Sequence, residues 1–289
     1  MAKTKTPTRT VNKKTKSNPP ESTMTFWDHL DELRSVIIRL LVVSFIAFTI
    51  AFALKDQLFY IILAPLHPGF ITYQWLDTLL AASPLPQLSD AIAQQPAGAT
   101  DASAITSLTL ISTELSQQFL IHVEAAAIMA ILAISPYIIY ELFRYISPAL
   151  YAKERRYTLW IVLGSYIMFI IGILFSYLII FPFTFRFLAT YQVDPSVTNT
   201  ITLESYINTL ATLTLVMGII FQMPMLSWLL GRFGLLTRQL MRRYRRHMIV
   251  AILILAAVIT PTGDIFTLLV VALPMYLLYE LSIILVPSK

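Results

Sequence analysis

Six long apolar runs dominate the chain, and polar stretches separate them. They lie roughly at Ser35–Leu54, Phe119–Phe143, Tyr157–Phe181, Tyr206–Leu230, Met248–Ile259 and Ile265–Val286. A helix rises about 1.5 Å per residue, so about 20 apolar residues cross about 30 Å of hydrocarbon. Strands of an outer-membrane barrel would alternate with period two over about ten residues. These runs are continuously apolar, which predicts an all-α polytopic membrane protein with six transmembrane helices. The fifth run stands apart, because Met248–Ile259 would span only about 18 Å as a helix. It meets the sixth through Thr260-Pro261-Thr262-Gly263-Asp264, a tight turn by composition. The expectation is a hairpin of short fifth and sixth helices that thins the bilayer or admits water from one side. Alternatively, the fifth helix extends back into the basic stretch before it.

Residues 1–24 hold no apolar run and are rich in Lys, Thr, Ser and Pro. They read as a disordered basic tail. They do not read as a secretory signal, because the first apolar run begins late, runs long and has no small-residue cleavage site after it. A membrane domain over 25–289 follows, with a long external loop at 55–118. The middle of that loop, Ala81 to Ser107, is rich in Ala, Ser, Pro and Gln and reads as flexible or lightly helical. No internal repeat of the secondary-transporter kind is visible.

Composition strengthens the membrane reading. Hydrophobic residues make up 57% of the chain and charged residues 13%, with a mean hydropathy of +0.71. Soluble domains carry about 25% charged residues. Having no Cys excludes a disulfide scaffold, a thiol nucleophile and a cysteinyl metal site. The four histidines, His29, His67, His122 and His247, are scattered and suggest no metal cluster. Charge sets the orientation. Of the 21 Lys and Arg, 19 fall in the N-terminal region, the second and fourth connections and the last residue, leaving only Lys55 and Arg186 for the other side. The positive-inside rule makes both termini cytoplasmic. Topogenic charge explains the Lys-rich tail better than nucleic-acid binding does.

The chemistry-bearing residues do not look like an enzyme's. There is no phosphate-binding Gly loop, no G-x-G-x-x-G and no H-E-x-x-H. His122 and His247 fall near opposite membrane faces, so neither pairs with a serine at matching depth. Most polar groups in the runs hug the ends: Arg39 snorkels, Glu141 and Glu280 lie near cytoplasmic ends, and Glu124 near an outer end. Gln222 is nearer mid-span. An amide there needs a partner, either on another helix of this chain or on a partner protein. Pro224 frees a backbone carbonyl one turn back that is a further candidate.

Two cytoplasmic patches remain. In Phe26-Trp27-Asp28-His29-Leu30-Asp31-Glu32-Leu33-Arg34, the residues Phe26, Trp27, Leu30, Leu33 and Ile37 share a helical stripe, and Thr25 with Asp28 makes a capping-box-like start. That predicts an amphipathic helix lying at the interface before the first span. Its polar face offers Asp28, Asp31 and Glu32, acids where topology wants bases, or simply a solvated face. The second patch runs from Tyr145 through Ile146-Ser147-Pro148-Ala149-Leu150-Tyr151 to Lys153-Glu154-Arg155-Arg156. Its basic neighbours keep Glu154 ionised, as an external ligand or as a local partner for Arg155 or Arg156.

These patches carry a resemblance to the TatC family, the polytopic receptor subunit of the twin-arginine protein translocase. The first is similar to the family's H-L-x-E-L-R start and the second to its I-x-P-A-L-Y-x-x-E-R-R loop. Ala64-Pro65-Leu66, Phe169 to Pro182, Thr260-Pro261 to Asp264, and Leu273-Pro274-Met275-Tyr276 to Glu280 extend the likeness over about residues 25–286. The family often has Glu where Gln222 stands, and Asp264 lies one residue further from Thr-Pro than in the common pattern. The stretch around 77–110 is longer than usual.

The resemblance implies a receptor, not an enzyme, with no cofactor or metal, in the cytoplasmic (inner) membrane. It implies twin-arginine signal-peptide binding by Glu32, Arg34, Tyr145, Glu154 and Arg156. Pro65, Gln222 and Asp264 would take partner-helix or structural roles. The implied partners are single-span TatA and TatB subunits, signal peptides of folded cargo, further copies of the receptor and the lipid bilayer, with transport driven by the proton-motive force. The rival reading is a small-solute or ion secondary transporter, which needs a midplane polar constellation and broken helices. A membrane scaffold is a third.

Overall fold

The computed structural model describes residues 26–67, 69–82, 110–146, 158–191, 194, 200–260 and 263–287. The tail 1–24, most of the Ala81–Ser107 stretch and the loop holding Glu154 and Arg156 lie outside them. The described chain is helical apart from one two-residue parallel pairing. Its elements are α1 (Phe26–Ala53), α2 (Lys55–Leu63), a 3₁₀ turn (Ala64–Leu66), α3 (Ile71–Ala82), β1 (Leu110–Ile111), α4 (Gln117–Ile146), α5 (Thr158–Phe175), a π turn (Ser176–Ile180), α6 (Phe181–Thr190), β2 (Ile201–Thr202), α7 (Leu203–Ile220), α8 (Met223–Arg232), α9 (Arg238–Arg243), α10 (Arg245–Ile259) and α11 (Ile265–Leu285).

Five helical stretches among the described residues are long and apolar enough to cross a membrane: Leu30–Ala53, Gln117–Tyr145, Ile161–Ala189, Leu203–Arg232 and Ile265–Leu285. The expected fifth span is α10. It reaches back three residues beyond the apolar run to Arg245, and a break at Tyr244 (φ −91°, ψ 8°) separates it from α9. At 15 residues it is about 22 Å long. The sixth helix is not short, contrary to expectation. α11 has 21 residues, about 31 Å, because Asp264 caps its start and Pro274 does not end it. The predicted interfacial helix is not a separate element either. Residues 26–53 contain no Gly or Pro, so nothing stops the amphipathic turns from running straight into the first span.

The helices pack antiparallel in chain order. Phe52 meets Phe119 at one end of the α1–α4 pair, while Arg39 meets Glu141 towards the other. Phe181 and Phe185 pack edge-on against Tyr206, with ring centroids 5.1 and 5.2 Å apart. Phe187 stacks on Phe266 at 4.1 Å, closing α6 onto the start of α11. The tightest seam joins α5 to α7. A Cβ on Gly172 would lie 2.8 Å from the Met217 carbonyl oxygen and from Phe221 Cβ, and one on Gly218 would lie 2.8 Å from the Phe169 ring. Only glycine permits that approach. At the end away from the arginine-rich connections, Leu110 pairs with Ile201 and Ile111 with Thr202, so β1 joins β2 just before α7.

Proline supplies a second theme. A helical proline brings no N–H to the carbonyl four residues back, and in lipid no water can compensate. The Ser135 hydroxyl donates to Leu132 O (2.7 Å), which Pro136 leaves short of a donor. Thr72 of α3 donates to Leu178 O, four residues before Pro182. Tyr177 also donates to Ile61 O (2.5 Å), four residues before Pro65, although that carbonyl already receives the Ala64 N–H.

Candidate functional site at the arginine-rich end

α1 is buried along one stripe only. Glu32, Leu33, Val36, Arg39, Leu40, Val43, Ser44, Ala47, Phe48, Ala51 and Phe52 are half-buried or buried, and every other residue from Leu30 to Leu54 is exposed. Steps alternating between three and four residues make a coiled-coil-type seam, and α4 is the long helix that covers it. Glu32 heads the seam. Arg34, two residues on, points away from it and is exposed. Tyr145 is half-buried on the last turn of α4, where the chain leaves for residues 147–157. The structure thus sets Glu32 and Tyr145 at the same end of one seam, beside the exit to the loop that carries Glu154 and Arg156.

Deeper along this seam is a constellation that sequence reading did not assemble. Glu141 is 2% exposed. Arg39 Nη2 approaches its Oε2 at 3.3 Å, and the Tyr137 hydroxyl donates to its Oε1 at 2.8 Å. A second copy of the pattern lies at the same end, where Arg245 Nη2 donates to Glu280 Oε2 at 2.6 Å and Tyr276 donates to Glu280 Oε1 at 3.0 Å. Both tyrosines precede their glutamate by four residues, one helical turn. That repeated Tyr-x-x-x-Glu spacing was the available signal, whereas the arginine partners are remote in sequence. Arg238 adds a C-terminal cap, with Nε donating to Ile283 O at 2.9 Å.

The remaining expected residues are placed as follows. Pro65 is buried at the opposite end, where three tyrosines close on its turn. Tyr177 and Tyr206 donate to the carbonyls of Ile61 and Ile62, and Tyr73 donates to Pro65 O at 3.1 Å. Burial pushes the Tyr73 hydroxyl up to about 12 against the opposing pull of Arg186, so it remains a donor. Gln222 stands in a break between α7 and α8. Its Nε2 donates to Ser165 O on α5 at 3.0 Å. Of the partners open to this amide, the structure supplies one within the chain, though not the carbonyl freed by Pro224. Asp264 caps α11, accepting from Thr267 N at 2.7 Å. Between α2, α4, α5 and α7 an apolar groove of about 460 Å³ is lined by Ile61, Met129, Leu132, Ile170, Leu174 and Leu210, among others.

The family described as "Sec-independent protein translocase protein (TatC)" matches residues 28–274. A Sec-independent protein translocase protein TatC of Blattabacterium is 33% identical over 261 residues, covering 90% of this chain and 94% of that one. The TatC of Deinococcus radiodurans is 31% identical, covering 93% and 88%. A crystal structure of the twin arginine translocase receptor TatC in DDM superposes with a TM-score of 0.69 at 27% identity, covering 90% of this chain and 99% of that one.

Proposed function

Because the chain belongs to the TatC family of Sec-independent protein translocase proteins, we propose that it is the receptor subunit of a twin-arginine translocase. It binds the paired arginines of signal peptides on folded cargo. The observation that carries this reading is the placement of Glu32 at the head of the α1–α4 seam, next to where α4 hands over to the loop bearing Glu154. A carboxylate receives a guanidinium through two parallel hydrogen bonds but an ammonium only as a point charge. Two carboxylates therefore prefer Arg-Arg to Lys-Lys at equal charge. Exposed ion pairs contribute only about 0–1 kcal/mol each, so the pair sets specificity while burial of the signal's apolar segment supplies affinity. The exposed stripe of α1 and the apolar groove between α2, α4, α5 and α7 are suitable surfaces.

In this reading the arginine-rich end and both termini are cytoplasmic, α10 makes the fifth crossing, and the membrane is the inner one. TatA- and TatB-type single-span subunits and further copies of the chain complete the assembly, which the proton-motive force drives. The solute-transporter reading draws on the helix break at Gln222, but that amide donates within the chain.

Site-specific crosslinking tests the proposal. A twin-Arg signal peptide should label positions beside Glu32 and Glu154, and a Lys-Lys control should not. Glu154→Gln keeps shape and an acceptor but loses charge, so binding should fall sharply with expression unchanged, and Glu154→Asp should be intermediate. Equal labelling by both peptides, or full binding by Glu154→Gln, sinks the assignment.

A further inference from the structure

The two Tyr–Glu–Arg constellations differ in a way that points to use. Arg245 holds Glu280 at 2.6 Å, a short charge-assisted bond. Arg39 holds Glu141 through one nitrogen at 3.3 Å, and its Nε is buried without a hydrogen-bond partner among the described residues. Yet Glu141 is the more deeply buried carboxylate, 2% exposed against 27% for the side chain of Glu280. A buried carboxylate gains most from a well-made partner, and here it has a poorly made one. Tyr137 occupies Oε1, leaving Oε2 with unused acceptor capacity. The Arg39 side chain covers that oxygen while remaining 40% exposed.

We propose that Glu141 and Tyr137 form a second guanidinium site, and that Arg39 is an internal stand-in which one arginine of the incoming pair displaces. This rests on the receptor reading above. Arg39 and Glu32 share the seam of α1, seven residues and about 10 Å apart along the axis. Adjacent arginines have Cα atoms about 3.8 Å apart and long side chains that diverge, so they can bridge that interval. One engages Glu32 at the seam's head and the other Glu141. Arg39, once released, snorkels along its alkyl stem to the headgroup phosphates, so no guanidinium is stranded in hydrocarbon. The rest of the seam is mostly apolar, from Val36 to Phe52, and the exchange leaves α1 seated on α4.

An internal competitor lowers apparent affinity by the fraction of time it occupies the site. A site open a tenth of the time binds about tenfold more weakly than the open site. The test measures binding of Arg-Arg, Arg-Lys, Lys-Arg and Lys-Lys signal peptides to the full chain in proteoliposomes. Arg39→Gln should bind Arg-Arg several-fold more tightly and Lys-Lys no better. In Arg39→Gln/Glu141→Gln the gain should vanish. Glu141→Gln alone should abolish discrimination at one arginine position and keep it at the other. If Arg39→Gln fails to fold, Arg39→Lys is judged by the same criterion, since an ammonium competes less well for a bidentate site. No gain in a folded Arg39 variant, or a gain that survives loss of Glu141, overturns the proposal. If the parent itself does not prefer Arg-Arg to Lys-Lys, the receptor reading falls instead.

Discussion

Two glycines on one helix give a controlled measure of how tightly the α5–α7 seam is built. Gly164→Ala and Gly172→Ala both place a methyl on α5, and both gain the same helix propensity, up to about 1 kcal/mol. That gain cancels in the comparison, leaving only what each Cβ meets. At Gly164 it meets the tip of Met225 at 3.2 Å, a flexible side-chain end that can swing aside. At Gly172 it meets the Met217 carbonyl oxygen and Phe221 Cβ at 2.8 Å and Phe221 Cγ at 2.9 Å. None of these can move without shifting the backbone of α7 or its C-cap. Overpacking of this kind costs about 1–3 kcal/mol, so Gly172→Ala should be less stable than Gly164→Ala by that amount. At about 2–4 °C per kcal/mol, thermal unfolding in mild detergent should separate the two by several degrees. Gly218→Ala should be intermediate, because the group it meets is the Phe169 ring edge, and Phe169→Leu should partly rescue it. The same second change should not rescue Gly172→Ala. If Gly172→Ala melts at or above Gly164→Ala, the close approach is not limiting and the reasoning fails.

Gln222→Leu removes the donor to Ser165 O, so it should weaken the α5–α7/α8 contact by about 0.6–2 kcal/mol. Thermal unfolding in detergent should show that loss while crosslinking to single-span partners stays unchanged. Tyr206→Phe takes a hydroxyl from Ile62 O in a buried site, which should cost about 0.5–1.5 kcal/mol and increase proteolytic cutting of the connection from α1 to α4. Reporter fusions at Ser103 and Asn199 should both report the side opposite the arginines, and a cytoplasmic signal from either would break the proposed topology.

The spans were legible because lipid demands long apolar runs, and five of the six expected runs overlap helices long enough to cross. The helix interruptions were less so. Pro224 signalled trouble near Gln222, but the break at Phe221–Gln222 and the Ser165 carbonyl that receives the amide depend on which helix lies alongside. The extension of α10 to Arg245 is not decided by sequence, because a basic stretch reads equally as loop or as helix end. The head of the α1–α4 seam could be found, since Glu32 sits in a compact motif. From sequence Glu141 is only an acid near a helix end. Its meaning comes from Arg39, 102 residues away, and no local pattern carries a contact of that separation. The β1–β2 pairing was missed for a related reason, since two-residue strands have no periodicity to detect.

The tyrosine-held turn at Pro65 and the pairing of Leu110 with Ile201 fasten both sides of the connection from α1 to α4 to the helical body. Both fastenings lie among the described residues, so α1 and α4 are held to the helical body by contacts that do not involve residues 83–109. Doubling the length of a connection between two fixed anchors costs only about 0.6 kcal/mol of closure entropy. Insertions and deletions in this interval can therefore accumulate without altering the register of any membrane-crossing helix.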